Sequence, residues 1–276
     1  MQPLIRPRRS VLYVPAANGK AMVKSGSLEC DAIVYDLEDA VAPGAKADAR
    51  EALKGHFAAN PTSTKQRVIR VNAATTEWGA EDFKAAMDCR PDAILLPKVE
   101  QSQDILDAAA ELDRQGLDGV QIWAMVETPL GIVNIADIAR LGSRPEARLS
   151  CFVIGSNDLA KETGVRLPAG RSILLHWLLQ VVIHARAFGL DVVDGVYNDF
   201  RDQAGFEAEC QEGVVLGFDG KTLIHPSQIA FANQAFAPSP GEVAEAERIV
   251  SAFAEPENAD KGVIALEGKM VERLHL

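Results

Sequence analysis

The sequence predicts an α/β fold, a (β/α)₈ TIM barrel. Eight short runs of β-branched and aliphatic residues alternate along the chain with segments whose apolar residues recur at helical spacing. The runs are apolar on both faces, which is typical of parallel strands covered by helices. The chain carries neither G-x-G-x-x-G nor G-x-x-x-x-G-K-[ST] after a strand, which disfavours the rival doubly wound nucleotide-binding sheet. Eight such alternations are what a closed parallel barrel requires.

The predicted strands and helices occupy the chain up to about Ala254. The strands are predicted at Ser10–Pro15, Ala32–Leu37, Arg67–Asn72, Ala93–Pro97, Gln121–Glu127, Cys151–Gly155, Leu190–Val193 and Val214–Leu216. The helical patterns include Ala47–Phe57, Asp104–Leu112, Val133–Leu141, Ser172–Phe188 and Phe206–Glu212. Beyond them the segment AEPENADKG is polar and turn-rich. We therefore expect a catalytic barrel domain over residues 1–254 and a linker and tail over residues 255–276.

The composition limits the classes of partner. The chain has 276 residues, 39 Asp and Glu against 28 Lys and Arg, and a formal charge of -11. This acidic balance argues against nucleic acid or an anionic membrane as the partner. Apolar runs stay below the roughly 18 residues of a membrane span. The basic start lacks the long apolar region of a signal peptide, so we expect a cytoplasmic protein.

Charged residues stand where several predicted strands end. They are Asp36, Glu38, Asp39, Arg70, Glu127 and Asp158. Because the active site of a parallel barrel lies at the carboxyl ends of its strands, we expect these side chains to converge. Carboxylates clustered at low dielectric need a compensating cation, and oxygen ligands without His or Cys suit Mg²⁺, with Mn²⁺ as the alternative. The predicted metal ligands are Glu127 and Asp158.

Each of these residues also has a purely structural interpretation. Asp158 could cap a short helix beginning at Leu159, because Asp is favoured at that position. Arg70 could close a structural ion pair with Asp36, and one or more carboxylates of the DLED segment could serve as a cap or supporting partner. Lys98, in LLPK, could form a Schiff base, but a nearby carboxylate would raise its pKa and disfavour that role.

Seven motifs together resemble a known family. In order they are RRSVLYVPAANGK, DAIVYDLEDAVAPGAKADAR, VIRVNAATTEWG, AILLPKVE, WAMVETPLGI, VIGSNDLA and GFDGKTLIHPSQI. Their order and spacing resemble the citrate lyase β-subunit-like branch of the HpcH/HpaI aldolase superfamily over essentially the whole chain. The resemblance implies a Mg²⁺-dependent barrel enzyme, a homotrimer or hexamer, that makes or breaks a carbon–carbon bond between a coenzyme A thioester and a 2-oxo acid. Lyases of malyl-CoA and citramalyl-CoA belong to this group.

The resemblance also implies roles for individual residues. Glu127 and Asp158 match the metal ligands, Arg70 matches the substrate-binding arginine, and Asp36 and Glu38 match carboxylates that support catalysis. The residues matching the coenzyme A entrance and the rim of the substrate pocket are Tyr13, Lys24, Asn157, Ile224 and His225.

The tail resembles a C-terminal lid segment with the motif D-G-K-M, whose Asp acts as an acid/base at a neighbouring subunit. Here LEGKM places Glu267 at that position, with one more methylene group. A second departure is Asn18, where related thioester lyases often have Arg. An aldolase acting on a free hydroxy-oxo acid, a thioesterase, and a β-type subunit of a larger lyase complex therefore stay open. A non-enzymatic scaffold is disfavoured because the charged strand ends would lack a purpose.

Overall fold

The computed structural model describes residues 6–167, 170–258 and 260–273. It contains two compact units, one extending to Phe236 and the other starting at Ala237. The division therefore lies earlier than the position after residue 254 that composition suggested. The helix Pro240–Ala254 shares a small core with the segment that follows it, and for this reason belongs to the second unit.

The first unit contains a closed barrel of eight parallel strands in sequence order, which confirms the predicted fold. The strands are β1 (Ser10–Pro15), β2 (Ala32–Asp36), β3 (Gln66–Arg70), β4 (Ala93–Leu96), β5 (Gln121–Val126), β6 (Leu149–Ile154), β7 (Asp191–Asp194) and β8 (Gly220–Leu223). Their inward side chains form one apolar cluster, and their outward side chains form a larger one with the helices.

Ten helices belong to this unit within the described residues. They are α1 (Gly19–Ser25), α2 (Lys46–Ala59), α3 (Gly79–Cys89), α4 (Ser102–Arg114), α5 (Pro129–Val133), α6 (Ile135–Ala139), α7 (Ser156–Thr163), α8 (Leu175–Ala187), α9 (Gln203–Leu216) and α10 (Ile229–Ala235). Short 3₁₀ turns lie at Pro43–Ala45, Arg140–Ser143, Pro145–Ala147, Ser172–Leu174 and Pro226–Gln228. The helix predicted over Val133–Leu141 is broken at Asn134, which lies between α5 and α6. No described helix is long and apolar enough to cross a bilayer.

The eighth predicted strand is wrong. Val214–Leu216 is the end of α9, and the strand that closes the barrel has the sequence GKTL. Its Lys221 is fully buried, with Nζ 3.0 Å from Oδ2 of Asp194 and 2.7 Å from Oε1 of Glu209. The two carboxylates offset the cost of burying the ammonium group. Hydropathy could not reveal this strand because a buried charge, rather than an apolar run, occupies its centre.

The second unit consists of α11 (Pro240–Ala254), a 3₁₀ turn at Pro256–Asn258, and a hairpin of β9 (Val263–Leu266) and β10 (Lys269–Glu272). Ser239 and Glu242 form a capping box at the start of α11. Glu267 and Gly268 form the two-residue hairpin loop, with φ of 50° and 80°. Positive φ at both positions is what a type I′ turn demands.

Candidate active site

Arg70 and Asp36 are direct neighbours across strands β3 and β2. In a parallel pair, residues in register present their side chains to the same face of the sheet. Arg70 Nε donates to Oδ1 of Asp36 at 2.8 Å, and Nη2 donates to Oδ2 at 2.7 Å. The same carboxylate accepts the backbone N–H groups of Glu38 and Ala40. The ion pair suggested by the sequence therefore exists, and it fixes the guanidinium plane so that Nη1 lies near Met125 Sδ and Glu38 Oε2.

Two polar groups beside Arg70 lack hydrogen-bond partners among the described residues. The guanidinium lies 4.9 Å from the centroid of the Tyr13 ring, and the Tyr13 hydroxyl is buried without a partner. Oε2 of Glu38 lies 3.0 Å from Nη1 of Arg70, an ion-pair distance, yet the contact is not aligned as a hydrogen bond. Asp39 lies 3.5 Å from the same nitrogen and is largely exposed. Buried polar groups without partners are costly, which points to groups of a bound ligand.

Burial is the main cause of the pKa shifts of Glu38 and Tyr13 beside Arg70. It raises the pKa of Glu38 to about 8, although Arg70 opposes the shift and the charges of Glu127, Asp39 and Asp36 add to it. Burial also raises the pKa of Tyr13, with Arg70 opposing. Glu38 is therefore mainly protonated at neutral pH and can donate a hydrogen bond or a proton.

Glu127 lies directly after β5 and is almost fully buried. Its Oε1 accepts the backbone N–H of Lys98 at 2.8 Å. On its other side, a Cβ at Gly155 would lie 2.4 Å from Oε2 of Glu127, so the carboxylate occupies space that only glycine leaves free. Burial raises the pKa of Glu127 to about 7, with the Lys98 N–H opposing the shift and the charge of Asp158 adding to it.

Asp158 lies in the first turn of α7, the third residue of the helix. The helix begins at Ser156 and Gly155 precedes it as the cap, so the interpretation of Asp158 as the cap of a helix starting at Leu159 is wrong. Lys98 Nζ lies 3.8 Å from Oδ1 of Asp158 and 3.9 Å from Oε1 of Glu162. Sequence reasoning missed Glu162, which is one helical turn beyond Asp158 on the same face.

The environment of Lys98 disfavours the Schiff-base role. Burial lowers its pKa, but the charges of Asp158, Glu127, Glu38 and Glu162 raise it more, and the net pKa is above the ordinary value. An amine nucleophile needs the opposite shift.

The donor set fits a hard divalent cation. Within the described ranges, no group of three or more His, Cys, Asp or Glu side chains converges to hold an ion. The proposed ligands are two carboxylates, Glu127 and Asp158, and the Glu127 carboxylate occupies the space that a Cβ at position 155 would fill. Mg²⁺ commonly takes one or two protein carboxylates and fills its other positions with water and substrate oxygens.

Of the predicted rim residues, Asn157 lies in the first turn of α7, and Ile224 and His225 follow β8. Asn157 and Asn198 exchange two side-chain hydrogen bonds of 3.1 and 2.8 Å. The His225 ring stacks on Phe200 with centroids 4.7 Å apart, and Ile224 is 40% exposed. The segment after β7 is therefore tied to α7 through Asn198 and to the segment after β8 through Phe200. Neither of these two residues carries a local signal in the sequence.

Lys24, predicted at the coenzyme A entrance, and Asn18, a departure from the family pattern, lie near opposite ends of α1. Lys24 lies exposed in the last turn of α1. Asn18 begins that helix, and its Oδ1 accepts the N–H of Ala21 at 3.1 Å. The Asn at this unusual position thus has a structural task as a helix cap. The substrate-binding role of Lys24 stays a prediction.

Glu267 belongs to the second unit, at the tip of its hairpin. Its carboxylate lies 3.4 Å from Nη1 of Arg248, which also pairs with Glu245. The side chain of Glu267 is 67% exposed. Its role as a lid acid at a neighbouring subunit stays a prediction.

Comparison with known proteins identifies the family. The sequence profile of the HpcH/HpaI aldolase/citrate lyase family matches residues 9–226. A "(3S)-malyl-CoA thioesterase" of Cereibacter sphaeroides (strain KD131 / KCTC 12085) is 45% identical over 98% of this chain and 91% of its own. The citrate lyase subunit beta of Escherichia coli (strain K12) is 35% identical over 97% of this chain and 89% of its own.

A solved structure gives the same answer. Protein CitE of Mycobacterium tuberculosis, in complex with magnesium, acetoacetate and coenzyme A, is 29% identical with a TM-score of 0.77, covering 97% of this chain and 94% of that one. These findings confirm the resemblance inferred from the motifs, and the chain is an enzyme of the HpcH/HpaI aldolase/citrate lyase family.

Proposed function

We propose that this protein is a Mg²⁺-dependent carbon–carbon lyase that cleaves a 3-hydroxyacyl-CoA, such as malyl-CoA or citramalyl-CoA, into a 2-oxo acid and an acyl-CoA. The observation that carries the proposal is the guanidinium of Arg70, which Asp36 fixes, with Oε2 of Glu38 3.0 Å from its Nη1 and the Tyr13 hydroxyl buried beside it without a hydrogen-bond partner among the described residues. These are groups that recognise the oxygens of a small acid. The family membership supports the same reaction class.

Glu127 and Asp158 would hold the cation. When bound, Mg²⁺ supplies a Lewis acid that polarises substrate oxygens. The two side chains contribute carboxylate oxygens from different elements, the end of β5 and the first turn of α7. Such a site leaves positions open for oxygens of the substrate.

Arg70 would stabilise the negative charge that builds on the 3-hydroxyl oxygen as it loses its proton. Asp36 occupies Nε and Nη2, so Nη1 is the nitrogen that faces Glu38 and the ligand space. A fixed donor of this kind is typically worth about 3–4 kcal/mol in the transition state. Asp36 would act through Arg70, as a positioning residue.

Cleavage moves two protons. The 3-hydroxyl loses its proton as the carbon–carbon bond breaks and its electrons pass to the α-carbon of the thioester. That carbon then takes up a proton from an acid. Glu267 is the proposed acid/base, as the resemblance implies: its carboxylate would take up the hydroxyl proton and then deliver a proton to that carbon. Protonated Glu38 and the Tyr13 hydroxyl would donate hydrogen bonds to the acid portion of the substrate.

The second unit is proposed to act as a lid in a homotrimer or hexamer. Among its described residues the buried apolar side chains are Phe253, Ile264 and Val271, and Val250 and Met270 are exposed. So small a core is insufficient for independent stability. Light scattering on the purified protein tests the oligomer, and a monomeric mass would contradict it.

Hydrolysis of the thioester is a second candidate. The Cereibacter sphaeroides relatives named (3S)-malyl-CoA thioesterase are 44–45% identical, whereas human citramalyl-CoA lyase is 32% identical. A hydrolase would use the same cation and arginine to hold malyl-CoA, then direct water to the thioester carbonyl. The 35% identity to citrate lyase subunit beta keeps a role within a larger complex as a further alternative.

One assay separates these candidates. Purified protein is incubated with Mg²⁺ and malyl-CoA or citramalyl-CoA, 2-oxo acid is trapped with phenylhydrazine, and free thiol is measured in parallel. Glyoxylate or pyruvate without free thiol indicates the lyase, and free thiol without oxo acid indicates the hydrolase. If neither 2-oxo acid nor free thiol forms, the thioester assignment is contradicted. Glu127→Gln should abolish turnover, whereas Glu81→Gln, an exposed carboxylate of α3, should not.

A further inference from the structure

Lys98 has a backbone conformation that its surroundings in the chain do not explain. Four described non-glycine residues have positive φ, and Lys98 is one of them at 50°. Arg90 and Arg148 end helical turns, where a left-handed residue is common, and Glu267 lies in a hairpin loop. Lys98 follows β4 and ends no helix. A left-handed conformation outside those settings costs free energy and often marks a functional site.

The backbone of Lys98 donates one hydrogen bond to Glu127, a proposed metal ligand. The N–H of Lys98 donates to Oε1 of Glu127 at 2.8 Å. A Cβ at position 155 would lie 2.4 Å from the other oxygen of the same carboxylate. One oxygen of Glu127 is thus held by a backbone N–H, and the space for the other depends on glycine at position 155.

The side chain of the same residue reaches the second proposed ligand. Nζ of Lys98 lies 3.8 Å from Asp158 and 3.9 Å from Glu162, two carboxylates on one face of α7. The distances are long for ion pairs, and the Lys98 side chain is 40% exposed. The ammonium group is therefore shared between the two carboxylates and has open space into which it can withdraw.

We propose that Lys98 is a positioning residue whose ammonium group is the resident cation of Asp158 and Glu162, and that it sets the affinity of the site for a divalent cation. The inference rests on the proposed metal site. A divalent ion held by Asp158 and a lysine ammonium beside the same carboxylate repel one another, so the ammonium group must withdraw. The flexible four-carbon stem of lysine permits that movement.

Calorimetric titration of the purified full-length protein with MgCl₂ at fixed ionic strength tests the proposal. Lys98→Met keeps the length of the side chain and removes its charge, and we expect Mg²⁺ to bind about three- to tenfold more tightly. Lys98→Arg keeps the charge and should retain wild-type affinity within about twofold. Lys161→Met removes an exposed lysine from α7, the helix that carries Asp158 and Glu162, and controls for the general loss of positive charge.

Thermal denaturation provides a readout independent of turnover. Without Mg²⁺, Lys98→Met should melt at a lower temperature than the wild type because the carboxylates lose their cation, and Mg²⁺ should raise its melting temperature by more. Lys98→Gly also removes the charge but adopts positive φ without strain, so it should melt above Lys98→Met.

The outcomes distinguish the inference from the function on which it rests. Unchanged or weaker Mg²⁺ binding by Lys98→Met, with a wild type that binds the ion, would overturn the role of Lys98 alone. An equal gain in affinity for Lys161→Met would also overturn it. Absence of Mg²⁺ binding by the wild type would overturn both the inference and the proposed metal site.

Discussion

Gly155 lies against Glu127 so closely that a methyl group at position 155 would be 2.4 Å from the Oε2 atom. The glycine follows β6, and its N–H donates to the carbonyl of Val126, the residue before Glu127. The spacing between the two strand ends therefore leaves no room for both a side chain at 155 and the observed carboxylate.

Gly155→Ala should displace Glu127 and weaken Mg²⁺ binding. We expect a loss of about 1–3 kcal/mol in the free energy of unfolding from overpacking. Denaturant unfolding and calorimetric titration measure the two effects. Gly44→Ala, at a glycine with open space around its Cβ position, is the control. Wild-type Mg²⁺ affinity in Gly155→Ala would show that Glu127 does not ligate the ion.

Arg70→Lys should lower turnover more than it lowers substrate affinity. The charge is kept, but the fork that bonds Asp36 through Nε and Nη2 is lost. We expect kcat to fall about 10²–10³-fold, the usual effect of removing a fixed donor. Steady-state kinetics on the thioester substrate measures it. Arg50→Lys provides a comparison at another buried carboxylate, because Arg50 of α2 forms an ion pair with Asp82 of α3. Equal activity of Arg70→Lys and the wild type would remove Arg70 from the reaction.

Mg²⁺ should stabilise the protein more as the pH rises through about 7. Burial raises the pKa of Glu127 to about 7, with the Lys98 N–H opposing and Asp158 adding. The metal-free protein is therefore more stable where Glu127 is protonated and loses that stability as the pH rises towards 7. The cation needs the ionised form.

Thermal denaturation with and without Mg²⁺ between pH 5.5 and 8.5 tests this dependence. The apparent affinity for Mg²⁺ should rise by up to about tenfold per pH unit below pH 7 and then level off, and the increase in melting temperature caused by Mg²⁺ should follow it. In Glu127→Gln the dependence should disappear. A wild-type effect of Mg²⁺ that is independent of pH would contradict the role of Glu127.

Glu38→Gln should change the alkaline side of the activity profile. Burial foremost raises the pKa of Glu38 to about 8, so the wild type loses its proton, and the hydrogen bond it donates, above that pH. Glutamine stays neutral and keeps a donor. We expect kcat/KM of the wild type to decline above pH 8 and that of Glu38→Gln to decline less. Parallel profiles for the two proteins would exclude Glu38 as the titrating group.

Glu267→Gln should reduce turnover without affecting folding if the tail carries the acid. The side chain is exposed, so we expect the melting temperature to be preserved, while loss of a general acid costs about 10²–10⁴-fold in rate. Glu245→Gln is a matched control because Glu245 pairs with the same Arg248. Equal rates for both variants would show that Glu267 is not the acid.

The positions of charged residues at the ends of apolar strands were sufficient to predict the principal charged residues of the candidate site. Asp36, Arg70, Glu127 and Asp158 each interrupt or follow an apolar strand, and barrel geometry brings such positions to one end. The left-handed backbone of Lys98 has no signature in its sequence, because lysine rarely adopts it.

Other partners could not be inferred because they depend on contacts between distant loops. Asn198 pairs with Asn157, and Phe200 stacks on His225, across the loops after β6, β7 and β8. Glu162 was missed because its contact is with a residue on another element. The seven correctly predicted strands had apolar runs, whereas β8 required knowledge of the charges that surround Lys221.

The buried Lys221 also bears on the order in which the barrel assembles. Its ammonium group has two carboxylate partners, Asp194 from the adjacent strand and Glu209 from α9. A charge with incomplete pairing is costly to bury, so β8 gains little by docking before that helix is in place. We expect closure of the sheet onto β1 to be a late event in folding.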